Sequence, residues 1–315
     1  MNIETEYVNC DACGGDKNKI VFRVRDYLFG ITEIFNVVKC DGCELFYLNP
    51  RPTAESIIKL YEENYTHADK PYILSKIETF KLKIILKRLW HQYIRGYHDN
   101  LIKSVQGKIL DIGCGNGNFL LQVKQKGEEV YGIEINPIDA RYCNEIGLKV
   151  FCGILEEANF NDNFFNTVML SHVLEHLPSP KKTLKEIYRI LKPSGKLYIF
   201  CPNSKGYMSK LFGRYWHGWH IPFHFYNFTV KTIRNLTDEV GFKIKKVNTI
   251  TTPASFTLSL NSYIWGRHIG IKSIERGKIF DSLFFKAFIS IFLRLLDFVL
   301  KGKGDCLEVE LLKEK

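Results

Sequence analysis

Residues 108 to 120 read KILDIGCGNGNFL, and they decide the fold. Ile109, Leu110 and Ile112 make an apolar run of the length of a buried strand, and Asp111 stands near its carboxyl end, where open α/β sheets bind ligands. Gly113, Gly115 and Gly117 follow at alternate positions, so backbone N–H groups can approach a ligand without side chains in the way. Phe119 to Val123 then begin a helix whose positive end faces the same point. This order predicts a strand, a cofactor loop and a helix.

The spacing selects among nucleotide cofactors. The dinucleotide fingerprint G-x-G-x-x-G/A fails, because its third position falls on Asn118 or Leu120 when counted from Gly113 or Gly115. D-x-G-x-G-x-G suits S-adenosylmethionine better. A second strand, EVYGIEINP, ends at Glu134, twenty-one residues after Gly113, where a carboxylate can accept both ribose hydroxyls.

From about residue 107 onward the chain resembles the class I S-adenosylmethionine-dependent methyltransferases. GILEEANF (153–160) is similar to their adenine-contacting loop and NTVMLSHVLEHLPSP (166–180) to the fourth strand and its exit. TLKEIYRILKPSGKLYIFCPN (183–203) is similar to the next helix and fifth strand, and EVGFKIKKV (239–247) to the approach to the sixth. The resemblance implies an α/β fold with a Rossmann-like seven-stranded sheet. It also implies a cofactor held by Asp111, Gly113, Gly115, Gly117, Glu134, Ile135, Leu155, Glu156, Ser171 and His172. The family commonly has Asp where Ile154 and Asn166 stand, and the first departure leaves the adenine contact to backbone groups or Glu156.

Composition fits a globular enzyme: 315 residues, 45% hydrophobic, with no eighteen-residue uncharged apolar run. The start, MNIETEYVNC, is polar and acidic where a signal peptide needs a basic and then apolar run, so a cytoplasmic, reducing location is expected. Disulfides are not expected there. Four of the nine cysteines form two C-x-x-C pairs, Cys10/Cys13 and Cys40/Cys43, and paired turns of this kind build a tetrahedral zinc site. So small a module is expected to depend on metal for folding energy, and with all four positions taken by thiolates a structural or docking role is expected. The remaining five, Cys114, Cys143, Cys152, Cys201 and Cys306, read as small buried residues.

After the second pair, NPRPTAESIIKLYEENY offers Thr53 as an N-cap and apolar Ile57, Ile58, Leu60 and Tyr61 for a linking helix. Such a ribbon, then N-P-R-P, then a methyltransferase domain resembles a bacterial group found with polysaccharide and natural-product pathways, and the ribbon of sugar C-methyltransferases. The expected organisation is a zinc ribbon over 1–50, a helical linker and cap over 51–106, and the methyltransferase domain over 107–315 with insertions at 204–229 and 254–304.

The acceptor side must come from segments beyond the cofactor core. GRYWHGWHIPFHFYNFT (213–229) follows the fifth strand, and its Trp216, Trp219, Phe223, Phe225 and Tyr226 are expected as an acceptor wall or lid. His224 is the first candidate for a general base, since PFHFYNFT resembles the Pro-x-His-x-x-x-Phe substrate-side element of this group. His176 is a second acid/base candidate, in SHVLEHLP. His172, Glu175 and His176 there have the H-x-x-E-H spacing of a class of zinc proteases, but that motif needs a long helix, whereas here a strand precedes it and Pro178 ends the turn.

Near the C-terminus, LFFKAFISIFLRLLDFVLKGKG places Lys286, Ser290, Arg294, Asp297 and Lys301 in a narrow polar stripe beside a wide Phe-rich face. The helix over 283–301 is expected to pack on the core or on a second copy of the chain in a homodimer, or to lie peripherally on a membrane surface. The 44 Lys and Arg against 34 Asp and Glu give +10, which favours anionic partners, and several of these cations lie on an expected helix, SKIETFKLKIILKRLWHQYIRGYH (75–98). The leading expectation is transfer of a methyl group to an O or C atom of a small-molecule or lipid-linked acceptor, a glycan precursor or quinone-like compound. The alternative is a zinc-ribbon RNA methyltransferase, and nucleic acid is the less favoured partner because of the wide apolar insert. A non-catalytic scaffold is the third reading, opposed by the intact Asp111, glycines and Glu134.

Overall fold

The computed structural model describes residues 3–64, 101–266 and 283–314. The basic segment 75–98 and residues 267–282 of the C-terminal insertion lie outside the described residues.

The N-terminal module is built from short antiparallel strands. β1 (Thr5–Glu6) pairs with β5 (Arg51–Pro52), while β2 (Asn18–Arg25), β3 (Ile34–Cys40) and β4 (Phe46–Leu48) form a meander. Two tight turns close over the cysteines: Gly14 N–H donates to Cys10 O at 2.7 Å and Glu44 N–H to Cys40 O at 3.1 Å. α1 (Ala54–Asn64) follows, capped as expected by Thr53, whose hydroxyl accepts from Ser56 N–H at 3.3 Å, with Ile57 and Leu60 buried.

The larger sheet and its helices begin with β6 (Lys108–Ile112), α2 (Asn118–Lys124), β7 (Glu129–Glu134), α3 (Pro137–Glu145), β8 (Val150–Cys152), β9 (Phe165–Ser171), α4 (Pro180–Ile190) and β10 (Leu191–Pro202). After α5 (Tyr207–Phe212), β11 (Tyr226–Asn227), α6 (Val230–Val240), β12 (Phe242–Ile250), α7 (Pro253–Trp265) and α8 (Leu283–Val299), the described chain closes with β13 (Cys306–Lys313). Seven strands lie in the order β12-β13-β10-β9-β6-β7-β8, parallel except where β13 runs antiparallel between β10 and β12. The parallel strands read as continuous apolar runs because both faces are covered. Leu110, Ile112, Val168 and Leu170 face one hydrophobic cluster, while Ile109 and Met169 face the other, which is the two-residue period of a strand. Truncating the wholly buried Leu110 to alanine would cost about 2–5 kcal/mol.

The segment 213–229 corrects the expectation of a lid. β11 pairs with β4, Tyr226 opposite Tyr47, and so adds a fourth strand to the ribbon sheet, with Leu48 N–H donating to Phe225 O at 2.9 Å. Trp216, Trp219, Phe223, Phe225 and Tyr226 are all buried. Trp219 meets Phe22 at 4.9 Å between centroids, Tyr226 stacks on Tyr47, and the Arg51 guanidinium lies 5.2 Å over Phe225 while donating to Pro178 O at 2.7 Å. These rings are the packed joint between ribbon and sheet domain. Apolar area and ladder hydrogen bonds both favour that arrangement over a free lid.

α8 packs on the core through Ile289 and Leu293. Its Ser290 and Asp297 turn toward the protein, and Asp297 accepts from Thr251 N–H at 2.8 Å, Thr251 Oγ1 at 2.8 Å and Tyr207 Oη at 3.2 Å. Among the described residues no helix is long and apolar enough to cross a membrane.

Candidate active site

The glycine loop is fixed before any ligand arrives. Gly113 and Cys114 N–H groups donate to Ile133 O at 2.8 and 3.1 Å, tying the loop to β7. A Cβ on Gly113 would meet Val173 Cγ2 at 2.4 Å, and one on Gly117 would meet Leu148 Cδ1 at 2.4 Å, whereas beside Gly115 nothing lies within 4 Å. All three have φ between +52° and +73°, the left-handed region that glycine enters without penalty. The loop therefore packs tightly on two sides and leaves an open cradle at Gly115.

Glu134 ends β7 and faces this cradle with 8% exposure. Its Oε2 accepts from Gly115 N–H at 2.8 Å and its Oε1 from Asn136 N–H at 2.9 Å, so each oxygen keeps lone-pair capacity for a further donor. Asp111 is 3% exposed, and its Oδ1 finds no hydrogen-bond partner among the described residues. Burial, reinforced by the negative charge of Glu134, pushes its pKa well above the usual carboxylate range. A buried acceptor without a donor, next to an open backbone cradle, fits a cationic, donor-rich ligand such as S-adenosylmethionine. Beyond Glu134, Ile135 is 63% exposed and Ile154 44%, leaving two apolar surfaces at the rim. Leu155 is buried, so its backbone alone can meet a ligand, and the Glu156 carboxylate already accepts from Thr183 Oγ1 at 2.9 Å.

The second half of the site grows from the end of β9. Ser171 is the last strand residue, and His172 turns the chain at φ +56° with its N–H donated to Phe200 O at 2.8 Å. His172 Nδ1 lies 3.3 Å from Glu175 Oε1 and its Nε2 3.9 Å from Cys306 Sγ. Glu175 is wholly buried, and its Oε2 has no partner among the described residues. Leu174–His176 form a single 3₁₀ turn, so the long helix of a zinc protease is not built here.

The structure brings together the two histidines proposed from sequence: His176 and His224 lie edge to face, 4.5 Å between ring centroids. His224 Nδ1 donates to Gly218 O at 2.8 Å, and His176 Nδ1 lies 3.0 Å from Phe223 O and 2.7 Å from Tyr61 Oη. A carbonyl on Nδ1 fixes the proton there and leaves Nε2 as a lone pair. His220 joins them, with its Nδ1 3.3 Å from His224 Nε2. Burial and neighbouring imidazoles hold His224 and His220 well below the ordinary histidine value, and burial lowers His176 as well. His217 falls to about 4 from burial and the charge of His172. His172 goes the other way. Its side chain is about half exposed and partial desolvation opposes its charge, yet Cys306 and Glu175 hold its pKa well above 6.5.

Donor atoms of Glu175, His176 and His224 all lie within 4.8 Å of one another, as do the Sγ atoms of Cys10, Cys13, Cys40 and Cys43, so both groups can hold a metal ion. A small cleft of about 20 Å³ at the ribbon joint, lined by Asp26, Tyr27, Leu28, Tyr215, His217 and His220, borders two of these histidines. Sequence reasoning missed Tyr61, His220 and Cys306 as members of this site. The spacing His217-x-x-His220-x-x-x-His224 was a visible signal for one of them, but Tyr61 and Cys306 arrive from distant elements.

Residues 86–247 match the Methyltransferase domain family, slightly over half of the chain. Over 153 residues the chain is 30% identical to a sterol 4-C-methyltransferase of Caenorhabditis elegans, covering 46% of this chain and 45% of that protein. It is 28% identical over 124 residues to a ubiquinone biosynthesis O-methyltransferase of Pseudomonas entomophila (strain L48), covering 36% and 53%. The chain thus spans about half the length of these curated relatives. A crystal structure of an S-adenosylmethionine-dependent methyltransferase from Archaeoglobus fulgidus superposes with a TM-score of 0.46 at 22% identity, over 72% of this chain and 99% of that one. The matched span holds Asp111, the three glycines, Glu134, the His172–His176 turn and His224. With that span laid over a seven-stranded methyltransferase sheet, the chain belongs to the S-adenosylmethionine-dependent methyltransferases.

Proposed function

We propose that this enzyme transfers a methyl group to an oxygen or carbon atom of a small or lipid-linked metabolite, with a glycan precursor or quinone-like compound as the acceptor class. The observation that carries the reading is the cluster of buried His224 and half-buried His176 and His220, held neutral, on the chain that follows Val173, which packs against Gly113. When bound, S-adenosylmethionine supplies a methyl carbon already activated on a sulfonium. What remains for the protein is to position the acceptor, exclude water and accept a proton.

In this reading Glu134 orients the ribose through the two free lone pairs, Asp111 offers its unpartnered Oδ1 to a donor of the cofactor, and Gly115 gives close backbone approach. Ile135 and the Ile154–Glu156 turn border the adenine, and Ser171 and His172 border the methionine end. His224 holds its proton on Nδ1 against Gly218 O, so its Nε2 is the atom that receives the proton released by an acceptor hydroxyl, with His220 Nδ1 3.3 Å from it as the hydrogen-bonded neighbour and the His176 ring packed alongside. The relatives named for sterol and ubiquinone biosynthesis support an apolar acceptor.

The four cysteines are assigned to structural zinc. Cys10 and Cys43 Sγ stand 3.5 Å apart, as do Cys13 and Cys40, near the edge of about 3.8 Å expected for a tetrahedron with Zn–S of about 2.3 Å.

The test is incubation of the purified protein with methyl-labelled S-adenosylmethionine and separate fractions of membrane lipids, soluble metabolites and RNA. Label in the lipid or metabolite fraction supports the proposal. Label confined to RNA would replace its acceptor class.

A further inference from the structure

α8 presents the wrong face to water. Its exposed large side chains are Phe288 at 70%, Ile291 at 51%, Phe292 at 46%, Leu295 at 62%, Phe298 at 71% and Val299 at 73%. These positions follow the i, i+3, i+4, i+7 spacing of a helical face, so they form one stripe. The opposite side is already satisfied: Ile289 and Leu293 are buried, Ser290 is buried, and Asp297 is hydrogen-bonded to Thr251 and Tyr207. A surface helix ordinarily buries its apolar stripe and shows its polar one to solvent. Here apolar side chains lie on both sides, and the polar residues Ser290 and Asp297 serve the inward contact.

The neighbouring helices continue the pattern. α7 packs against both α5 and α8, Tyr207 N–H of α5 donates to Lys303 O at 2.8 Å, and Leu211, Tyr263 and Ile264 add exposed apolar surface on α5 and α7. α7 carries no charged residue in thirteen positions. Over 204–218, 253–266 and 288–304 the cations are Lys205, Lys210, Arg214, Arg294, Lys301 and Lys303, and all are exposed. The single acid in those stretches is Asp297, turned inward. An apolar stripe bordered by exposed cations, with no outward acid among these residues, is complementary to an anionic lipid surface. α8 has seventeen residues, fewer than the twenty or so needed to cross a bilayer, so it would lie in the interfacial plane.

We infer that the α5–α7–α8 face docks the enzyme on an anionic bilayer, with the α8 stripe inserted among the acyl chains. The inference does not depend on the acceptor or on methyl transfer. The full chain is sedimented with vesicles of phosphatidylcholine alone and with vesicles that also contain phosphatidylglycerol. Retention on the anionic vesicles is expected, at least about tenfold above the neutral ones at low salt. Phe292→Glu with Leu295→Glu, both at exposed positions, is expected to reduce the partition coefficient by about tenfold or more. Far-UV circular dichroism and S-adenosylmethionine affinity serve as folding controls. Lack of retention on the anionic vesicles would overturn the inference, as would retention unaffected by the double substitution. Equally decisive against it would be a dimer in analytical ultracentrifugation that the same substitutions dissociate while vesicle binding is absent, since the stripe would then belong to a second copy of the chain.

Discussion

Glu134→Ala tests the cofactor half of the site most directly. The carboxylate serves two structural donors, Gly115 N–H at 2.8 Å and Asn136 N–H at 2.9 Å, and these hold it in place with one lone pair on each oxygen to spare. Two ribose hydroxyls on those lone pairs would make charge-assisted hydrogen bonds contributing about 1.5–3 kcal/mol each. Their joint loss amounts to about 3–6 kcal/mol, or roughly 10²- to 10⁴-fold in Kd for S-adenosylmethionine. Glu134→Gln preserves shape but sets an NH₂ donor against one of the two backbone N–H groups, so most of the same loss is expected. Isothermal titration calorimetry with S-adenosylmethionine measures the effect, and circular dichroism checks that the protein remains folded. A folded Glu134→Ala protein whose Kd stays within about threefold of the native value would refute the assignment of the cradle.

Four further outcomes follow from the geometry. Because Asp111 is protonated well above the usual carboxylate range and its ionised form suits a cationic ligand, S-adenosylmethionine binding should release a proton and tighten as pH rises toward that pKa. Calorimetry in buffers of different ionisation enthalpy, with Asp111→Asn as the flat reference, reads this. His224→Asn should slow turnover of whichever fraction accepts label by about 10²-fold or more while cofactor affinity stays unchanged, and equal loss of both would mark a structural residue. Chelation, or Cys40→Ser, should melt the ribbon and expose Trp219, which packs on Phe22 and Phe46, so tryptophan emission should shift red as bound metal is lost. Burial raises Asp305 to about 6 and Glu308 to about 7, above their ordinary 3.8 and 4.5. The folded state therefore binds more protons than the unfolded one, stability is full below about pH 4 for these groups, and the melting temperature should fall as pH rises from about 4 to 7. Asp305→Asn with Glu308→Gln should flatten that slope.

Local chemistry explains what was legible in the chain. The strand of Ile109 to Ile112, the glycines after it and Glu134 at the end of the next strand are near in sequence, and their roles depend on backbone freedom and strand period, which spacing reveals. The cysteine pairs are legible for the same reason, since each turn carries its own two thiols. That the aromatic rings of 213–229 are packed into the ribbon joint and not a free lid was not legible, because their partners, Phe22, Phe46, Tyr47 and Arg51, lie more than 150 residues upstream. Nothing local announces that Tyr226 pairs with Tyr47 rather than covering a cleft.

The sequence by itself determined the strand, glycine loop and helix of the cofactor cradle and the two cysteine turns, because period, glycine placement and pair spacing are properties of contiguous residues, while the seven-stranded sheet was expected only from the family resemblance. Only the tertiary structure decided that Glu175 is the buried hub between His172, His176 and His224, that Tyr61 and Cys306 join them, and that α8 turns Asp297 inward while its Phe-rich stripe faces out. Those arrangements depend on which surfaces meet across long loops, where burial and hydrogen-bond satisfaction are settled between segments rather than within them.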